Sequence, residues 1–132
     1  MSEKILFVDD STIILSAFQA QLRNRYSVSV ASSGQLGLDM MKQEGPFAVV
    51  ISDMKMPEMD GLTFLKKAQE ISPDSILMML TGNADQKTAV DAVNDGNIFR
   101  FITKPCQSKL LINSIDAALE QSRLIHAQKK LL

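Results

Sequence analysis

The chain alternates short apolar runs with stretches of helical periodicity. The apolar runs are Lys4–Val8, Tyr26–Ala31, Phe47–Ser52, Ser75–Leu80 and Ile98–Thr103, each of strand length. Between them lie amphipathic segments at Ser11–Asn24, Gly34–Glu44, Gly61–Ile71 and Ala84–Asn94; a fifth begins after Pro105 and runs almost to the C-terminus. In the first of these, Ile14, Phe18 and Leu22 fall four apart on one face, and Ser11 stands where an N-cap belongs. Five units of strand then helix predict an α/β fold with a parallel sheet.

The strands differ, and the differences order the sheet. "ILFV", "FAVVI" and "ILMML" are continuously apolar, as expected when helices cover both faces. "YSVSVA" alternates polar with apolar and "IFRFI" is interrupted by Arg100, so these two read as edges. With right-handed crossovers, edges at strands 2 and 5 give the order 2-1-3-4-5: a doubly wound, five-stranded parallel sheet in a flavodoxin-like three-layer sandwich. Such a sheet binds ligands at the carboxyl ends of its strands, near the switch point between strands 1 and 3.

Those ends carry chemistry. Strand 1 runs into Asp9 and Asp10, strand 3 into Asp53, strand 4 into Thr81 and strand 5 into Lys104. Any one of them alone is an ordinary cap or a solvated lysine; their convergence on one sheet edge is not ordinary. Three neighbouring carboxylates cannot all stay ionised without a counter-charge. Lys104 supplies one positive charge, and a divalent cation is the natural remainder. Oxygen-only ligands favour Mg²⁺, or Mn²⁺ in its place, over zinc. Mg²⁺ keeps several waters and accepts phosphate oxygens, so a phosphoryl group is the expected substrate.

Composition narrows the setting. At 132 residues, 45% apolar and 22% charged, the chain has the size and balance of one globular domain. A formal net charge of -1 without a basic block argues against nucleic-acid binding. The single cysteine, Cys106, excludes an internal disulfide and fits a reducing compartment. The N-terminus has no signal-peptide h-region and no apolar run is of membrane length, so a cytoplasmic location is expected. His126 reads as a surface residue, Cys106 as a small packing residue, and the eight methionines as a pliable core.

The pieces "FVDDS", "VVISDMKMPEMDGL", "MLTG" and "FRFITKP" follow one another in a recognisable order and spacing. On them the chain resembles, over essentially its whole length, the receiver domain of two-component response regulators; "DMKMPEMDG" is the most specific piece. The resemblance implies that Asp53 takes a phosphoryl group from a phosphohistidine on a sensor histidine kinase or phosphotransfer protein, forming an acyl phosphate. Asp9, Asp10 and Asp53, with the main-chain carbonyl of Lys55, would hold Mg²⁺. Lys104 would contact the phosphoryl oxygens, and the Thr81 hydroxyl would bond one of them after transfer. Thr81 and Phe101 would form the conformational switch, with Phe101 where the family commonly has a tyrosine and hence without its hydroxyl. Lys55 and Asn83 would set the lifetime of the phosphorylated state.

Such a domain is not an enzyme beyond catalysing its own phosphorylation and dephosphorylation; it controls an output domain or a partner. The run "GNIFRFITKPC" is similar to receivers that precede HD-type hydrolase domains. A receiver-like interaction module that works without phosphorylation is the alternative, against which the intact acidic set stands. Two enzyme or carrier readings fit poorly. A haloacid-dehalogenase-type phosphatase needs its two aspartates separated by one intervening residue, whereas Asp9 and Asp10 are adjacent, and a flavin carrier needs a Ser/Thr-rich loop where this chain has two carboxylates. Residues 1–122 are expected to form the receiver and 123–132 an extension of its last helix. There Ala117-Ala118, Leu124-Ile125 and Leu131-Leu132 recur every seven residues, predicting a coiled-coil connector that dimerises and leads to an output domain.

Overall fold

Parallel ladders join the apolar runs into one five-stranded sheet. In a computed structural model, which describes residues 3–82, 98–104 and 107–131, the strands are β1 (Lys4–Val8), β2 (Ser27–Ala31), β3 (Val49–Asp53), β4 (Ile76–Thr81) and β5 (Arg100–Thr103). Their order is β2-β1-β3-β4-β5, as the apolar and interrupted runs predict. The three central strands are almost wholly buried, whereas β2 and β5 keep exposed or half-buried positions. The helical segment expected over residues 84–94 lies outside the described residues, as do Asn83, Pro105 and Cys106.

Among the described residues, helices α1 (Thr12–Leu22), α2 (Gly34–Glu44) and α3 (Gly61–Ile71) and a C-terminal helix at Ser108–Leu131 cover the sheet. Alternation along each strand divides the core in two. Leu6, Val8, Val50, Leu77 and Met79 face Leu38 and Met41 of α2 and Phe64, Leu65 and Ala68 of α3. Ile5, Phe7, Ile51, Met78 and Leu80 face Leu15 and Leu22 of α1 and Leu111, Ile115 and Ala118 of the C-terminal helix. Fully burying a side chain such as Phe64 contributes about 2–3 kcal/mol. Ser11 caps α1 as the sequence indicates, and Ser33 and Asp60 likewise accept a backbone N–H from the first turn of α2 and α3.

Element boundaries differ from the sequence expectation in one consequential way. β3 spans Val49–Asp53 rather than Phe47–Ser52, and β4 spans Ile76–Thr81 rather than Ser75–Leu80. The ladder pairs Asp53 with Leu80, and Met54 N–H donates onward to the Leu80 carbonyl. Asp53 and Thr81 are therefore the last rungs of their strands, Asp53 paired with Leu80 of β4 and Thr81 with Thr103 of β5, rather than the first residues of loops.

Candidate functional site

The switch point between β1 and β3 gathers the acidic residues. Asp9 follows β1, and its N–H donates to the Ala31 carbonyl of β2, which continues the sheet by one bond. Its side chain turns back into the body, and the residue is 2% exposed. Asp9 Oδ1 accepts the Ser11 N–H at 2.9 Å, while Ser11 Oγ accepts the Ile14 N–H to open α1. The same turn that starts α1 thus orients Asp9. Asp10 points to solvent, Asp53 is buried, and one carboxylate oxygen from each of Asp9, Asp10 and Asp53 lies within 4.8 Å of the others.

Lys104 enters from the end of β5. Its N–H donates to the Thr81 carbonyl, which fixes the residue against β4. From there Nζ reaches Asp53 Oδ1 at 2.5 Å and Asp9 Oδ2 at 3.6 Å. Burial alone would lower the Lys104 pKa, but the hydrogen bond and charge of Asp53, joined by Asp9, outweigh it and raise it. Asp9 behaves in the opposite sense. Burial raises its pKa; the Ser11 N–H and Lys104 lower it less than burial, Asp53 and Asp10 together raise it. One lysine does not neutralise the cluster.

Asp9 Oδ2 is buried and makes no hydrogen bond. A buried carboxylate oxygen beside two further carboxylates, with no nitrogen or sulfur donor in the group, suits a hard cation of the Mg²⁺ type. Lys104 approaches it at 3.6 Å, an ion-pair rather than a hydrogen-bond distance. The donor set therefore fits the metal that the sequence implies.

Thr81 ends β4 fully buried, and its hydroxyl donates to the Gly82 carbonyl at 3.0 Å. Phe101 pairs with Met79 and Thr103 with Thr81, so the parallel register puts Thr81 and Phe101 on one face of the sheet, two residues out of step. Phe101 is half-buried against the core layer under α2 and α3. Lys55 is exposed two residues beyond Asp53. Asn83 lies outside the described residues.

Two supporting groups were not read from the sequence as parts of the site. Ser52 Oγ donates to the Asp53 carbonyl at 2.8 Å, and its signal was a lone hydroxyl within the otherwise apolar "VVIS" run. Gly61, the first residue of α3, packs its backbone against the end of β3. A Cβ there would stand 2.2 Å from the Asp53 carbonyl oxygen and 2.9 Å from Met54 Cα. The Gly61 N–H also donates to the Met54 carbonyl at 2.8 Å, closing the loop that carries Glu58 in a left-handed conformation (φ 67°).

A doubly wound sheet with Asp9, Asp10, Asp53 and Lys104 gathered at its switch point offers an acidic group that could hold a metal ion, with an ammonium beside it. Comparison with known proteins makes the assignment specific. The profile of the response regulator receiver domain matches residues 5–116. The chain is 38% identical over 119 residues to the transcriptional regulatory protein GlrR of Escherichia coli, covering 89% of this chain and 26% of that protein. It is 33% identical over 129 residues to the C4-dicarboxylate transport transcriptional regulatory protein DctD of Rhizobium meliloti, covering 96% and 27%. Among solved structures, one described as adenylate cyclase from Rhodopirellula baltica superposes with a TM-score of 0.97 at 40% identity, covering 99% of this chain and 97% of that one. A receiver domain from Clostridium thermocellum superposes with a TM-score of 0.87 at 31% identity, covering 93% and 98%. The chain belongs to the response regulator receiver domain family. It spans about a quarter of the length of these curated relatives.

Proposed function

We propose that Asp53 is the phosphoacceptor of this receiver. The observation that carries the reading is the contact of Lys104 Nζ with Asp53 Oδ1 at 2.5 Å beside the unbonded, buried Asp9 Oδ2. One carboxylate is addressed by a fixed cation, and next to it is an oxygen suited to a second, mobile one. Phosphoryl transfer depends on positioning and on neutralising the equatorial oxygens, which Lys104 and a cation held by the neighbouring carboxylates would provide.

Asp9, Asp10 and Asp53, with the main-chain carbonyl of Lys55, would hold Mg²⁺, or Mn²⁺ in its place. When bound, the metal supplies charge neutralisation for the phosphoryl oxygens. The chain's own groups do the rest. Asp53 Oδ presents a nucleophile at the end of β3, and its carbonyl accepts the Ser52 hydroxyl and lies against the backbone of Gly61. Lys104 holds that carboxylate before transfer and the transferred oxygens after it. Thr81 turns its hydroxyl from the Gly82 carbonyl toward the phosphoryl group, and Phe101, on the same sheet face, follows into the vacated space. Lys55 and Asn83 flank the site and set how readily water reaches the acyl phosphate.

The donor would be the phosphohistidine of a sensor histidine kinase or phosphotransfer protein in the cytoplasm; no helix among the described residues is long and apolar enough to cross a membrane. The receiver acts on itself alone, and its output lies in the further length that its relatives possess. Residues 123–132 serve as the connector, with the seam resting on Leu124, which is 55% exposed, and on the half-buried Ile125. The test is incubation with acetyl phosphate followed by intact mass measurement. One phosphoryl group should add in the presence of Mg²⁺ and none in excess EDTA; equal addition under both conditions would overturn the metal-assisted reading.

A further inference from the structure

At the amino ends of the strands, opposite the acidic cluster, Glu3, the turn after α1 and the C-terminal helix enclose a groove of about 740 Å³ that is open to solvent. Its floor is the buried Leu119 and the half-buried ring of Tyr26, and Arg23, Arg25 and Arg123 line its rim. The two carboxylates in the groove are already engaged. Both oxygens of Glu3 are taken by Arg123, through Nη2 at 2.6 Å and Nε at 3.2 Å, and Asp116 Oδ1 accepts the Tyr26 hydroxyl at 2.6 Å. Arg123 keeps three of its five N–H groups for another acceptor. Among the described residues, no carboxylate pairs with Arg23 or Arg25.

Three guanidiniums facing two committed carboxylates leave the groove positive on a chain whose formal net charge is -1. The guanidinium fork matches a carboxylate edge to edge, which a point-charge ammonium does not. An open trough with an apolar floor suits an extended peptide better than a small molecule, which is ordinarily enclosed on most sides. We infer that this groove is a docking site for an acidic segment of a partner protein, which pairs its carboxylates with Arg23 and Arg25 and rests an apolar side chain on Leu119 and the Tyr26 ring. The groove and the acidic cluster lie at opposite ends of β1, five residues or roughly 16 Å apart along the strand, so the segment binds without covering Asp53. The surface offers a receiver a second contact beyond the phosphoryl-transfer edge.

The test is a titration of the ¹⁵N-labelled chain with a synthetic peptide of alternating glutamate and leucine, followed by amide shifts. Saturable shifts are expected at residues 24–27 and 116–123. They should weaken at least about tenfold in the double variant Arg23→Glu/Arg25→Glu and fall with added salt, as rim charges do. Labelling of that variant by acetyl phosphate should be unchanged, which shows that it is folded. Absence of saturation, shifts centred on Asp9 and Asp53, or equal binding by the variant would each overturn the inference. So would equal binding of a lysine–leucine peptide. Shifts of the same residues by ATP or inorganic phosphate that match the peptide's would also overturn it, in favour of a small-anion site.

Discussion

Gly61 lies against the carbonyl of Asp53 so closely that a Cβ would stand 2.2 Å from that oxygen. The first residue of α3 and the last residue of β3 are in backbone contact, and the loop between them is closed by the Gly61 N–H to the Met54 carbonyl. The position of the proposed phosphoacceptor therefore depends on a residue eight places away that has no side chain.

Gly61→Ala tests that dependence. Helix propensity alone favours alanine by up to about 1 kcal/mol. Overpacking against backbone that cannot swing aside costs about 1–3 kcal/mol, and here it should win. The expected result is a lower urea midpoint together with slower labelling of Asp53. An unchanged midpoint and an unchanged rate would show that the loop yields freely.

Lys104 should compete with a cation for the carboxylate oxygens of Asp53 and Asp9. Lys104→Met removes the ammonium from Asp53 and Asp9 while keeping most of the side chain's bulk. Mg²⁺ should then bind more tightly, by about threefold to tenfold for a partly exposed pair, while phosphorylation-dependent shifts at Phe101 are lost. Calorimetric titration gives the affinity, and weaker Mg²⁺ binding by the variant would contradict the competition.

The groove's phenol offers a pH measurement that no other residue obscures, because Tyr26 is the only tyrosine and the chain has no tryptophan. Burial, then the hydrogen bond and charge of Asp116, push the Tyr26 pKa from 10.0 up to about 12. The unfolded chain loses this proton first as pH rises, so the contribution to stability is full below about 10 and is lost as pH climbs through about 12. Phenolate absorbance should titrate near the upper value in the native protein. In Asp116→Asn it should titrate closer to 10.0. A native titration at the ordinary value would show that the Tyr26–Asp116 bond is absent in solution.

The connector makes a prediction about assembly. The C-terminal helix is continuous from Ser108 to Leu131, and past the buried Ser122 it is held to its own body by Arg123 on Glu3 and by Lys129 on Asp74. Those exposed pairs are worth little individually, and two heptads give only weak association. Sedimentation of the full chain should show a concentration-dependent monomer–dimer equilibrium that a chain ending at Ser122 lacks. Identical monomeric behaviour of both at high concentration would remove the connector reading.

Much of the fold was legible because burial writes itself into sequence as period. The continuous runs "ILFV" and "ILMML" mark covered strands, Arg100 and the alternation of "YSVSVA" mark edges, and the strand order follows from those marks. The acidic residues were legible for the same reason: each follows an apolar run, and parallel strands bring their ends together. What escaped was set by contacts that periodicity does not carry. The sequence does not show that the Thr81 hydroxyl turns to Gly82, that Ser52 braces Asp53, or that Gly61 abuts its carbonyl, because these depend on rotamers and on backbone approach. The pairing of Arg123 with Glu3 escaped too, since it joins residues from opposite ends of the chain.

Phosphorylation of this receiver is proposed to rest on Asp53. The most direct measurement is peptide mapping of the phosphoryl group after treatment with acetyl phosphate and Mg²⁺, comparing the native chain with Asp53→Asn. The native chain should carry one phosphoryl group, located on Asp53, and the variant should carry none. Labelling of the variant at another residue, at an undiminished rate, would contradict the central claim.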